Sequence, residues 1–99
     1  MADVTFALED RHRVLPAVEA EALQLDLASL GGPNAEDAFE LARKLQEVLR
    51  GAEPGPLVLN GHEERALLEV LDRYEIEGRL TSTLRHLQMA LEQERAPDL

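Results

Sequence analysis

The spacing of apolar and polar residues predicts three strands along the chain. Residues 4–8 alternate larger with smaller side chains, which is typical of a half-buried strand. The polar segment 9–12 is predicted to turn, and the apolar run at 13–15 is predicted to return as a second strand, so that the two strands form a β-hairpin. A third short apolar run, at 57–59, lies between a proline and an Asn-Gly pair and predicts the third strand.

Apolar residues that recur every three or four positions predict four helices, bounded by residues 16–30, 34–51, 60–78 and 81–95. Asn34 and Asn60 are the predicted N-caps of the second and third helices. Glu63 follows Asn60 by three positions, which is the spacing of a capping box. Thr81 or Ser82 is predicted to cap the fourth helix.

The order of these elements predicts an α+β fold, ββααβαα, in which four helices cover a small three-stranded antiparallel sheet. The chain has 99 residues, which is the size of one domain. We expect a single domain over 1–95 and a frayed C-terminal tail at 96–99, because Pro97 and the chain end are expected to bury nothing.

The two halves of the chain also resemble each other, since Val58 lies 44 positions after Val14 and other residues match at the same offset. The matched pairs are Val14 and Val58, Leu15 and Leu59, Glu19 and Glu63, Ala22 and Ala66, Leu23 and Leu67, and Leu27 and Leu71. One explanation is duplication of a strand–helix–helix unit, two copies of which would share one core. The other is coincidence in a sequence rich in Leu, Ala and Glu.

The amino-acid composition of the chain argues against several classes of partner and several kinds of site. The formal net charge is −10, which opposes nucleic acid and anionic membranes because these bind through Lys and Arg. The chain has no cysteine, which excludes disulfides, Cys-ligated zinc and a thiol nucleophile. No stretch resembles a signal peptide or the roughly 20 apolar residues of a membrane span, so a cytoplasmic location is expected.

The sequence carries no catalytic, metal-binding or cofactor-binding motif. None of the three histidines, His12, His62 and His86, has a second ligand at a metal-binding spacing. The sequence has no G-x-S-x-G nucleophile elbow, and its one glycine pair ends a helix instead of opening one. We therefore predict no catalytic residue, no metal, no cofactor and no small-molecule ligand, and we expect that the protein is not an enzyme.

The third and fourth predicted helices match a helix-turn-helix in outline. The recognition helix would begin near Thr81 and would present Ser82, Arg85 and His86 to a base pair edge. The neighbouring residues are acidic, among them Glu92, and no basic patch compensates for them. The sequence therefore predicts no nucleic-acid partner.

The first predicted helix carries apolar residues on two sides. One stripe, which includes Leu23 and Leu27, is predicted to face the core, and a second lies on nearly the opposite side. The second stripe is either buried under a neighbouring element or free for another subunit. Phe39 and Met89 lie just off their own core stripes and extend the predicted patch. The predicted partner-binding residues are Val18, Ala22, Leu25, Phe39 and Met89.

The edges of the predicted sheet are a second candidate surface, because an unpaired edge can accept another strand. Arg11 and Arg13 lie near one edge, where they would either prevent such pairing or serve a partner.

Three functions follow from these observations. The leading hypothesis is a non-enzymatic protein-interaction module that forms a homodimer through the second stripe of the first helix. The alternative is an acidic inhibitor or regulator that docks on a basic, nucleic-acid-binding protein, which rests on the net charge. The third is a small enzyme whose site has no recognisable motif.

Overall fold

The computed structural model describes residues 3–8, 12–51 and 56–95. The elements follow the predicted ββααβαα order and confirm a small α+β fold. They are β1 (Val4–Ala7), β2 (His12–Leu15), α1 (Ala17–Ala28), α2 (Ala35–Leu49), β3 (Leu57–Val58), α3 (Gly61–Ile76) and α4 (Ser82–Arg95). The predicted turn residues at 9–11, the loop at 52–55 and the frayed tail at 96–99 lie outside the described residues.

The three strands form one sheet in the order β2-β1-β3. β2 runs antiparallel to β1, as the predicted hairpin requires. β3 runs parallel to β1, so the prediction of a fully antiparallel sheet is wrong. The reason lies in the connection: β3 follows the packed helix pair α1–α2 instead of a hairpin turn, and such a crossover returns the chain in the direction of β1.

The helices cover one face of this sheet. Phe6 of β1 lies opposite Leu57 of β3, Val4 lies opposite Leu15 of β2, and all four side chains are buried. Residues between them point to the other face by the two-residue period of a strand. Val14 and Val58 lie on this outer face and are exposed to 53% and 67%.

The core is aliphatic, since the chain has two phenylalanines, one tyrosine and no tryptophan. Phe6 and Tyr74 are the buried aromatic side chains, and leucine supplies most of the other large ones. α1 packs most extensively on α2, α2 packs on α3, and α3 packs on α4, which also contacts β2.

The predicted capping box at the start of α3 is confirmed. The Asn60 side chain accepts a hydrogen bond from the Glu63 N–H at 2.8 Å, and the Glu63 carboxylate accepts one from the Asn60 N–H at 3.0 Å. The same carboxylate is only 2% exposed and pairs with Lys44 of α2 at 2.7 Å. Glu63 therefore both starts α3 and ties it to α2.

Asn34 occupies the N-cap position of α2, but its side chain makes no capping bond. Its amide instead donates to the Glu69 carboxylate of α3 at 2.7 Å. The predicted capping bond is wrong because a partner on another helix takes the amide.

The end of α3 holds α1 in place. Gly78 has φ +71°, and the N–H groups of Gly78 and Arg79 donate to the carbonyls of Glu75 and Tyr74, which is a Schellman motif. This turn sets the Arg79 guanidinium 4.5 Å above the Tyr74 ring. The Tyr74 hydroxyl donates to the carboxylate of Asp26 on α1, which also pairs with Arg79 at 3.5 Å.

Titration of Tyr74 tests this contact, because the chain has one tyrosine and no tryptophan. Burial, followed by the hydrogen bond and negative charge of Asp26, raises the Tyr74 pKa above its ordinary value of 10.0. Tyrosinate absorbance should therefore appear at higher pH than in the unfolded chain, and the free energy of unfolding should fall as the pH rises above about 10. Asp26→Asn should lower the absorbance midpoint. The same midpoint in both proteins would contradict the contact.

The internal duplication stays a prediction. β1 lies between β2 and β3, so the two strands assigned to equivalent units share the sheet without pairing. The helix pair α1–α2 also packs more extensively than α3–α4.

Candidate partner-binding surface

The two stripes of α1 have different environments. Ala20, Leu23 and Leu27 are completely buried, whereas Val18 is 75% exposed and Leu25 is 66% exposed. Val18, Ala22 and Leu25 follow one another at intervals of four and three residues, which places them on one side of the helix. The alternative that this stripe belongs to the core is wrong for the single chain, because Val18 and Leu25 remain mostly exposed.

Phe39 of α2 extends this exposed stripe. Its side chain is 54% exposed and lines a shallow surface groove together with Ala28 of α1. Ala28 follows Leu25 by three positions, so one turn of α1 joins the stripe to the groove. We refer to Val18, Ala22, Leu25 and Phe39 as the α1 surface.

Met89 lies apart from the α1 surface. It is 48% exposed on α4, which packs on α3 and β2. α1 packs chiefly on α2 and α3, and α4 packs chiefly on α3 and β2, so different neighbours hold the two helices. The structure therefore places three of the five predicted partner-binding residues on one side of α1 and a fourth, Phe39, on the helix that packs against it.

Polar side chains border the α1 surface. Glu21 is exposed on one flank of the stripe, and on the other Asp26 pairs with Arg79. Ser29, at the end of α1, donates its hydroxyl to the Leu25 carbonyl at 3.1 Å. An apolar centre with a polar rim is the arrangement typical of protein interfaces.

Sequence reasoning missed two exposed valines on the outer face of the sheet, Val14 and Val58. The signal was present in the alternation of β2, where Val14 stands between Arg13 and Leu15 and must point away from Leu15. On the central strand β1, Val14 lies opposite Thr5 and Val58 lies opposite Ala7, so these two small side chains lie between the valines.

The sequence analysis also considered residues for base contact and for metal binding. Arg85, a candidate for base contact, pairs with Glu75 at 3.1 Å. Within the described ranges, no group of three or more His, Asp or Glu side chains is arranged to hold a metal ion.

Among the helices described, none is both long enough and apolar enough to cross a bilayer.

Comparison with protein-family models, with curated proteins and with solved structures gave no match.

Proposed function

We propose that the protein is a non-enzymatic interaction module that forms a homodimer through the α1 surface. The observation that carries this proposal is the exposure of three large apolar side chains, Val18, Leu25 and Phe39, each by more than half. They lie on two helices that pack on each other, so the surface is held rigidly and loses little conformational entropy on binding.

The geometry of the stripe favours a second copy of the same helix. A twofold axis through the stripe would pair each apolar side chain with the same patch on the partner. Ala22 lies between Val18 and Leu25 and leaves room for close approach of two helices, whose axes pack about 8–10 Å apart. Each copy would then cover the apolar centre of the other.

The net charge predicts how the stability of the dimer should depend on salt concentration. Two copies with a net charge of −10 each repel one another, and salt screens this repulsion. A dimer held by apolar burial should therefore persist or strengthen as salt is raised. Docking of an acidic regulator on a basic protein should weaken instead, which separates the two hypotheses.

The test is Leu25→Glu, measured by light scattering after size-exclusion chromatography at low and high salt. Burial of one leucine contributes about 1.5–3 kcal/mol, and a twofold interface contains the residue twice, so the dimer Kd should rise about a hundredfold or more. Far-UV circular dichroism should show an unchanged fold, because Leu25 is mostly exposed in the single chain.

Ile76→Glu is the matched control. Ile76 is 86% exposed at the end of α3, outside the α1 surface, and the substitution makes the same change in charge and polarity. The control should remain dimeric. A wild-type monomer at both salt concentrations, or equal effects of the two substitutions, would overturn the proposal.

A further inference from the structure

A cleft between β2 and the first half of α4 has a chemistry unlike the rest of this acidic chain. Its cavity volume is about 180 Å³, which is room for a small polyatomic ion. It is lined by Phe6, His12, Arg13, Val14, Leu15, Thr83, His86 and Leu87. No Asp or Glu of the described residues is among them, although the chain has 20 acidic side chains.

Arg13 is the principal charge in the cleft. The strand register sets Arg13 opposite Phe6, on the helix-covered face of the sheet, so its side chain is partly buried. Its Nε is buried and has no hydrogen-bond partner among the described residues, and no described carboxylate lies within 4.0 Å of its guanidinium. Glu19 also has a buried unpartnered oxygen but does not line the cleft.

Two more polar side chains line the same cleft. His86 and Thr83 come from α4 and lie across the cleft from β2. A threonine hydroxyl donates a hydrogen bond, and an imidazole donates through its protonated nitrogen. The cleft thus brings a histidine and a threonine to an arginine that has no counter-charge among the described residues.

We infer that this cleft binds a small oxyanion, a phosphate or carboxylate group, with Arg13 as its main ligand. The planar guanidinium presents paired N–H donors whose spacing matches two oxygens of such a group. Arg13 offers its charge from the strand side of the cleft, and Thr83 and His86 donate from the helix side. The site is independent of the α1 surface and of whether the protein dimerises.

The experiment is an NMR titration of the amide signals with inorganic phosphate, with acetate and with phenyl phosphate, each at constant ionic strength. Saturable shifts confined to β2 and the first half of α4 are the expected result. Tighter binding of phosphate than acetate would identify a phosphate site, the reverse would identify a carboxylate site, and tighter binding of the ester would indicate a phosphorylated ligand.

Arg13→Gln should raise the phosphate Kd about tenfold or more, since it removes the charged donor. Arg65→Gln is the control, because it removes the same charge from an exposed position on α3 outside the cleft. If Arg13→Gln does not fold, His86→Glu provides the second variant. His86 is exposed, so this change should keep the fold and place a carboxylate at the cleft that repels the anion.

Two results would overturn the inference. One is the absence of saturable shifts, or shifts that sodium chloride reproduces at equal ionic strength. The other is an Arg65→Gln protein that loses as much affinity as Arg13→Gln, which would show only a general effect of charge.

Discussion

Leu27→Ala should lower the free energy of unfolding by about 3 kcal/mol. Leu27 is completely buried on the core side of α1, which packs extensively on α2. Alanine removes apolar burial and leaves a cavity, because neighbouring helices relax only partly around it. Urea denaturation followed by far-UV circular dichroism would measure the loss.

Leu25→Ala is the control on the same helix, since it removes the same atoms from a side chain that is 66% exposed. In the monomer it should change the free energy of unfolding by less than about 0.5 kcal/mol. If the α1 surface forms a dimer, the loss from Leu25→Ala should grow with protein concentration, because dimerisation stabilises the folded state by mass action.

The loss from Leu27→Ala should stay constant across the same range of concentration. Equal losses for the two variants at every concentration would contradict the assignment of a core side and a free side to α1. The comparison of Leu27→Ala with Leu25→Ala therefore tests whether α1 has a buried side and an exposed side, whether or not the protein dimerises.

Glu63→Ala should lower the free energy of unfolding by about 2–3 kcal/mol. The carboxylate accepts the Asn60 N–H through one oxygen and pairs with Lys44 through the other. Alanine removes both contacts at a site that is 2% exposed. The loss is smaller than for a fully buried ion pair, because the Lys44 side chain is 39% exposed and its ammonium regains water.

Glu36→Ala is the matched control for Glu63. Both are glutamates in the first turn of a helix, but Glu36 is exposed and makes no ion pair with a described residue. Its loss should be about 0.5 kcal/mol, the contribution of a carboxylate near a helix N-terminus.

Glu63→Gln separates the two contacts, because glutamine also closes a capping box but carries no charge for Lys44. Its stability should fall between wild type and Glu63→Ala in the same urea experiment. If Glu63→Ala cost no more than Glu36→Ala, the buried contacts would contribute nothing to stability.

Two surfaces of this chain now have separate tests. The α1 surface is apolar and belongs to the proposed dimer, while the cleft beside β2 is polar and cationic. Leu25→Glu should leave phosphate binding intact, and Arg13→Gln should leave the dimer intact. Failure of one proposal therefore leaves the other standing.

The element order and the helix ends were predictable from the sequence because they depend on neighbours within about four residues. Asn60 and Glu63 show this most clearly, since both hydrogen bonds of the capping box join residues three positions apart. Asn34 shows the limit of local reasoning: the same residue type at the same position makes its bond to Glu69, which is 35 positions away.

The periodicity of α1 determined that the helix has two apolar sides, but it contains no information about which side a neighbouring helix covers. Only the packing of α2 and α3 left Val18 and Leu25 exposed while it buried Leu27. In the same way, the apolar run of β3 predicted a strand without its direction, which the α1–α2 crossover decided.

The sequence by itself thus determined the fold class, the order of the elements and the two-sided character of α1, because spacing along the chain carries that information. The tertiary structure alone decided the mixed sheet, the place of Met89 on a helix with other neighbours, and the cleft that joins Arg13 to His86. Residues from opposite ends of the chain meet only through the packing of α4 on β2, and long-range packing has no signature in local spacing.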